Sequence, residues 1–431
     1  MSTSQGKYIN RLFDAQLDFA LKSKGAVVVA GPRWCGKTTT ATRFAKTVID
    51  LMPLDTRNAY IQLAKIAPHE FLNMGSKPIM VDEWQHVSFI WDQVKYEVDQ
   101  ANEFGCFILA GSAKDNEKAS GDSRHTGNGR ITRKMMRTLS LFESGESNGI
   151  VSLSDLKKGV FKPCVSNANI NDYAFYICRG GWPKAIGVDR DAALRQVIDY
   201  HEAIVTDDIF SLNDIHLRRD EQKARRVMCS YARYISSSAA DRTLLEDVVG
   251  EDNDSFDKDA FSKYIQALRA LYVIEELPAW KPNLRSKTII RTKATRHFVD
   301  PSIAVATLGL SPEGLFRDII TFESLFESLA IRDLRIYCDA IDAKLYKYRD
   351  SKRREADAVI QFRNGSWALV EVKLGNGEDI ASASNHLLKI ANDIDRERTG
   401  NPAFLMVVTK DKVAYQDQNG VYIVPLACLK P

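Results

Sequence analysis

The stretch that most constrains this chain is an apolar run, Gly25 to Ala30, passing directly into Gly31, Pro32, Arg33, Trp34, Cys35, Gly36, Lys37, Thr38 and Thr39. The spacing is Gly-x-x-x-x-Gly-Lys-Thr, a complete phosphate-binding loop. Its glycines let backbone N–H groups close around phosphate oxygens, Lys37 supplies a point charge, and the Thr38 hydroxyl can ligate Mg²⁺. A helix predicted from about Lys37 to Lys46 would turn its positive end toward the same phosphates. A strand on one side and a helix former on the other fit an α/β nucleotide site.

Hydrolysis needs a second metal ligand and a base, and Pro78 to Glu83 offers both. A short apolar run ending in two acids reads as a buried parallel strand that delivers Asp82 to Mg²⁺ and Glu83 to the attacking water. A strand ending in a solvated acidic turn is the plainer reading. A third apolar run, Cys106 to Ala110, ends in Gly111 and Ser112, and Ser112 could hydrogen-bond the γ-phosphate or the water. Strand ends of an open α/β sheet are where ligands bind. Beyond them Arg130, Arg133, Lys134 and Arg137 follow a polar, glycine-containing loop. Arg130 or Arg133 could reach a phosphate of its own chain or a neighbour, and a solvated face accounts for the run equally well.

At 431 residues the chain is long enough for two or three domains, and 45% hydrophobic with 27% charged residues is a globular balance. No apolar stretch approaches a membrane span, and Met1 to Lys7 lacks the core of a signal peptide. Seven cysteines without CxxC spacing read as reduced thiols, so a cytoplasmic protein is expected, with neither a zinc site nor a disulfide framework. A net charge of +3 is too small to argue for nucleic acid by itself.

The βα alternation carries an ATPase domain over 1–165. The pattern turns helical over 166–220, cornered at Arg179, Gly180, Gly181, Trp182 and Pro183, and suits a small lid. Over 221–309 three helical segments, the last from Asp257 to Leu271, precede a strand from Tyr272 to Leu277. A polar arm from Lys281 and a strand near Ile289 follow. That is winged-helix order, yet the third helix sets Lys258, Lys263 and Arg269 against Asp257 and Asp259, so a spacer domain is the better reading.

Over 310–431 a helix from about Arg317 to Tyr337 carries Glu323 and Glu327 on one face. Predicted strands follow at 343–348, 356–362 and 367–373, then a helix from Asp379 to about Ile390 and a strand at 403–408. Glu371 and Lys373, two apart, emerge on one side of an otherwise apolar strand, a costly placement unless they are used or paired. With Asp357 and a helix-borne Glu they describe a Mg²⁺ or Mn²⁺ site for phosphodiester cleavage: acids hold the metal, and the lysine serves the water or the developing charge. The plainer alternative is a buried salt bridge from Lys373 to Glu371 or Asp357.

Taken together, the motifs resemble a group of AAA+-type ATPases of bacteria and archaea fused to a C-terminal domain of the PD-(D/E)XK nuclease superfamily. The resemblance runs nearly full length. It rests on Gly31 to Thr39, Asp82 to Gln85, Leu109 to Ser112, Arg124 to Arg130, Leu139 to Gly145, Arg179 to Pro183, Leu325 to Leu329 and Arg332 to Leu334. It implies an α/β fold made of a P-loop ATPase with a helical lid, a winged-helix-like middle and a restriction-endonuclease-like α/β domain. The superfamily's acids fall on Glu327, Asp357 and Glu371, its lysine on Lys373, and Ala356 stands where the namesake proline would be. ATP or ADP with Mg²⁺ at the first site, DNA as a partner, possible homo-oligomers, and a role in defence or mobile elements are what the likeness implies. The rival expectation is an ATP-driven switch or scaffold whose C-terminal domain binds nucleic acid or protein without cleaving.

Overall fold

A computed structural model describes residues 8–111, 129–212, 215, 217–250, 256–280, 293–350, 352–375 and 377–431. Ser112, the arm from Lys281 and the strand expected near Ile289 therefore lie outside the described residues, as does most of the glycine-containing loop before Arg130. The chain divides into two compact units. One comprises Met1–Thr138, Leu212–His216 and Ala267–Tyr272; the other comprises Leu139–Ser211, Leu217–Gln266 and Val273–Pro431.

In the first unit, β1 (Ala26–Ala30), β2 (Thr47–Asp50), β3 (Ile79–Asp82), β4 (Phe107–Gly111) and β5 (Ile131–Met135) form one sheet in the order β2-β3-β4-β1-β5. Every pairing is parallel, so Ala30, Asp82, Gly111 and Met135 line up at one end of the sheet. All five residues of β1 are buried, as a strand covered on both faces must be. Val27 and Val29 pack with Phe13 and Leu17 of the helix Leu12–Ser23 on one side. Ala26 and Val28 pack with Phe71, Trp84 and Val94 on the other. Burial worth about 1.5–3 kcal/mol per large apolar side chain on each face holds the strand ends in place.

The helix after the phosphate loop differs from expectation. It spans only Lys37–Thr42, six residues, and the chain turns back to form the edge strand β2. Thr38, Thr39, Thr40 and Thr42 are β-branched and propagate a helix poorly, and the Lys46 N–H bonds the Pro78 carbonyl at 2.9 Å instead.

The second unit contains β6 (Val151–Ser152), β7 (Cys164–Val165), β8 (Ala343–Arg349), β9 (Glu355–Phe362), β10 (Trp367–Lys373), β11 (Leu405–Thr409), β12 (Val413–Gln416), β13 (Tyr422–Pro425) and β14 (Leu429–Lys430). Seven of them make a mixed sheet, β7-β12-β13-β11-β10-β9-β8, and β14 pairs with β6. The pairings draw the end of the ATPase part earlier than residue 165. β7 lies antiparallel to β12 and β6 parallel to β14, while the Ser147 and Ser152 hydroxyls donate to the Leu429 and Pro431 carbonyls at 2.6 Å. Residues 139–165 thus belong with the C-terminal sheet.

Between β7 and β8 in the sequence come the helices Ile170–Arg179, Arg190–Thr206, Glu221–Arg233, Asp241–Val249 and Pro301–Leu308. The strand expected over 272–277 is reduced to two isolated bridges, Ile274 with Phe298 and Leu277 with Thr295. A buried ion network ties the unit together: Arg332 holds Asp300 at 3.0 Å and Asp333 at 2.7 Å, and those carboxylates accept the Gly181 and Leu141 N–H groups. No described helix is long and apolar enough to cross a membrane.

Candidate functional site

The phosphate loop leaves the buried end of β1 through Gly31, whose φ of +154° and tight packing admit no side chain: a Cβ there would stand 2.1 Å from the Met136 carbonyl oxygen. Gly36 (φ +98°) and Trp34 (φ +66°) complete the left-handed turns of the loop. Arg11 fastens it from outside, donating to the Cys35 carbonyl at 2.8 Å and to the Arg137 carbonyl at 2.7 Å. The Cys35 thiol bonds the Met136 carbonyl. Arg33, Trp34, Thr38 and Thr39 are exposed, whereas Lys37 is buried, its ammonium on the Gly31 and Pro32 carbonyls at 3.0 and 2.7 Å.

β3 brings its acids to the same end of the sheet. The buried Asp82 carboxylate hydrogen-bonds the Thr38 hydroxyl and the Glu83 N–H; burial pushes its pKa above the ordinary range and those bonds pull back. A hydroxyl beside a carboxylate is an oxygen donor set suited to Mg²⁺, and a dication there would offset the cost that burial puts on the carboxylate charge. Glu83 sits in the left-handed region (φ +52°), which ends the strand and sends the chain into the turn beginning at Trp84. Its carboxylate accepts a hydrogen bond from the Gln85 amide. Gln85 and Trp84 press on Gly111, where a Cβ would meet Gln85 Oε1 at 2.5 Å and Trp84 Cδ1 at 3.0 Å. Gln85 enters the sequence analysis only within the stretch Asp82 to Gln85 that carries the resemblance, with no role assigned; its place two residues after Glu83 is the signal for one.

The two arginines are not brought to this end. Arg130 precedes β5 at the opposite end of the sheet, where it pairs with Asp99 at 2.5 Å. Arg133 lies in mid-strand beside Val28, donating to the Tyr272 hydroxyl at 3.2 Å. Five residues of strand, about 16 Å, separate Arg130 from the loop level, which excludes the contact with its own chain's phosphate.

The expected acids of the second unit come together around a lysine. Lys347 on β8 places its ammonium 3.1 Å from Asp357, 3.7 Å from Glu355 and 3.9 Å from Glu327. The other Asp357 oxygen accepts the Val372 N–H at 2.8 Å, and Lys373 pairs with Glu371 at 3.1 Å. Among the described residues no group of three or more His, Cys, Asp or Glu could hold a metal ion. The metal expected on Glu327, Asp357 and Glu371 is thus not supported; an ammonium stands among these acids instead. Burial, with Asp357 adding to it, pushes Glu371 up to about 8 and Glu327 well above the carboxylate range. Burial works against the Lys373 charge, but Glu371 and Asp357 outweigh it and raise its pKa.

Comparison with known proteins matches three segments of the chain. Residues 23–144 match a family described as an AAA domain. Residues 170–314 and 322–429 match two families described as domains of unknown function, DUF8612 and DUF4143. The first of these two spans both the segment read as a lid and the one read as winged-helix-like. Among solved structures, the Walker-type ATPase paby2304 of Pyrococcus abyssi is 15% identical, with 70% of this chain and 96% of that one covered and a TM-score of 0.43. The ORC1 protein of Aeropyrum pernix in complex with DNA is 10% identical over 70% of this chain and 92% of that one, at a TM-score of 0.24. The Thermococcus gammatolerans McrB AAA+ hexamers with bound McrC give 10% identity over 48% and 47%, at a TM-score of 0.19. No curated protein matches the chain. The N-terminal part is a P-loop ATPase domain of the AAA+ type.

Proposed function

We propose that this protein is a cytosolic, Mg²⁺-dependent ATPase whose nucleotide state acts on its C-terminal α/β unit, and that this unit works without cutting nucleic acid. The observation that carries the ATPase half is the meeting of Thr38 with Asp82 beside the phosphate loop, with Glu83 the next residue. Thr38 and Asp82 would hold the Mg²⁺ of the bound nucleotide, which supplies charge neutralisation on the phosphates. Lys37 leaves the Gly31 and Pro32 carbonyls to pair with the phosphates. Glu83 accepts the proton of the attacking water, and Gln85 fixes its carboxylate. Seven cysteines without CxxC spacing suit a reducing compartment.

The C-terminal half of the proposal rests on Lys347, which sits among the acids that cleavage would need for metal. One observation favours the second reading, a metal-dependent endonuclease acting on DNA. The helix Ile319–Ala340, β8, β9, β10, the helix Gly377–Asp393 and β11 follow one another in the order the nuclease likeness implies, carrying Glu327, Asp357, Glu371 and Lys373. Purified protein incubated with plasmid and Mg²⁺ or Mn²⁺, with and without ATP, decides between them. The first reading expects ATP turnover that Lys37→Ala abolishes and a plasmid left intact. Nicks or breaks that vanish in Asp357→Asn would establish the second.

A further inference from the structure

The Lys347 backbone has no freedom to withdraw. Its N–H donates to the Pro278 carbonyl at 2.8 Å and its carbonyl accepts the Trp280 N–H at 2.7 Å, closing the edge of β8. Trp280 in turn packs on Trp367 and Tyr348, with ring centroids 5.1 and 6.2 Å away. The side chain is 5% exposed and its charge reaches three carboxylates. Opposite it, unusual capacity is left over: Glu371 is 6% exposed with Oε2 bonded to nothing, and Glu327 Oε1 likewise has no hydrogen-bond partner. Buried carboxylate oxygens are ordinarily satisfied, so the pocket has more acceptors than its two lysines use.

We propose that the Lys347 ammonium is the resident cation of this acid pocket, so that the native chain holds Glu327, Asp357 and Glu371 without a divalent ion and loss of that one charge opens a divalent-cation site. A dication near the Asp357 oxygen would stand against the ammonium already 3.1 Å from it, and like charges at that range repel strongly. With the ammonium gone, Asp357 Oδ1 is released beside the two unsatisfied glutamates, a hard-oxygen set of the kind Mg²⁺ and Mn²⁺ take. The inference deepens the non-cleaving reading of the C-terminal unit and rests on it; the ATPase assignment is independent.

The test is Mn²⁺ binding to the full nucleotide-free chain, followed by electron paramagnetic resonance and by thermal shift. Native protein and its Asp357→Asn variant are expected to bind Mn²⁺ identically, any ion at the phosphate loop being common to both. Lys347→Met keeps the stem and removes the charge. It should gain one further ion bound at least tenfold more tightly than any native uptake at this pocket, and the gain should disappear in Lys347→Met with Asp357→Asn. Circular dichroism and unchanged ATP hydrolysis report that the variant is folded. Native uptake lost in Asp357→Asn would overturn both this inference and the non-cleaving reading, and that comparison holds even if Lys347→Met fails to fold. A folded Lys347→Met that gains no ion would overturn the inference alone.

Discussion

Gln85 donates its side-chain amide to the Glu83 carboxylate while its own carbonyl oxygen, buried and unpartnered, lies against Gly111 at the end of β4. A base held this way keeps one carboxylate oxygen committed and loses side-chain freedom, so the pair should be kinetically separable. Glu83→Gln is expected to bind ATP with native affinity and lose about 10²–10⁴-fold in turnover, the range of a general base. Gln85→Ala keeps the base but loosens it, for a loss of about 10- to 100-fold in kcat at unchanged affinity. Steady-state hydrolysis with nucleotide titration checks both. Native turnover in Glu83→Gln would remove Glu83 from the mechanism.

Gly31 is the position where the loop tolerates least. At φ +154°, with the Met136 carbonyl 2.1 Å from where a Cβ would stand, Gly31→Ala must move either the loop or the end of β5. Held-in backbone strain of this kind costs about 1–3 kcal/mol. Chemical denaturation should show that loss, with ATP binding weakened at least tenfold because the loop N–H groups no longer converge. Native stability with native binding would mean that the loop relaxes without consequence.

How much of this was legible follows from where the signals lie. The phosphate loop, the acids at the end of β3 and the run of β8, β9 and β10 are written in contiguous residues, so a local pattern marks each of them. β6 and β14 are two residues long and pair across a separation of 278 positions, Val151 with Leu429, so no local period marks them. Lys347 carried a readable signal. It shares the buried side of β8 with Ala343 and Leu345, while Lys344 between them is exposed, and a lysine at such a position asks for a partner. The exposed pair of Arg130 and Asp99 offers no comparable clue, because it depends on which end of a parallel strand faces the loop.

That geometry fixes what Arg130 can do within one chain. It stands at the far end of β5 in a half-exposed pair, whose attraction solvent and salt largely screen. Arg130→Ala should therefore leave stability nearly unchanged and hydrolysis by dilute, monomeric protein at the native rate. Rates measured across a concentration series check this. A defect that appears only as concentration rises would assign Arg130 to the nucleotide site of a neighbouring copy.

The raised pKa values of the acid pocket give the C-terminal unit a pH dependence of definite sign. Glu371 titrates near 8 in the fold and at about 4.3 in the unfolded chain. Between those values the folded state binds more protons than the unfolded one, and stability falls as pH rises. Glu327 is raised in the same direction, whereas Lys347 and Lys373 are raised above the ordinary lysine range and so titrate beyond this window. Melting in EDTA from pH 5.5 to 8.5 should show the unit losing about 2–4 kcal/mol, with most of the slope removed by Glu371→Gln, which keeps the shape but cannot ionise. A slope of the opposite sign, or one that Glu371→Gln leaves intact, would mean that Glu371 is ionised throughout and that Lys373 alone compensates it.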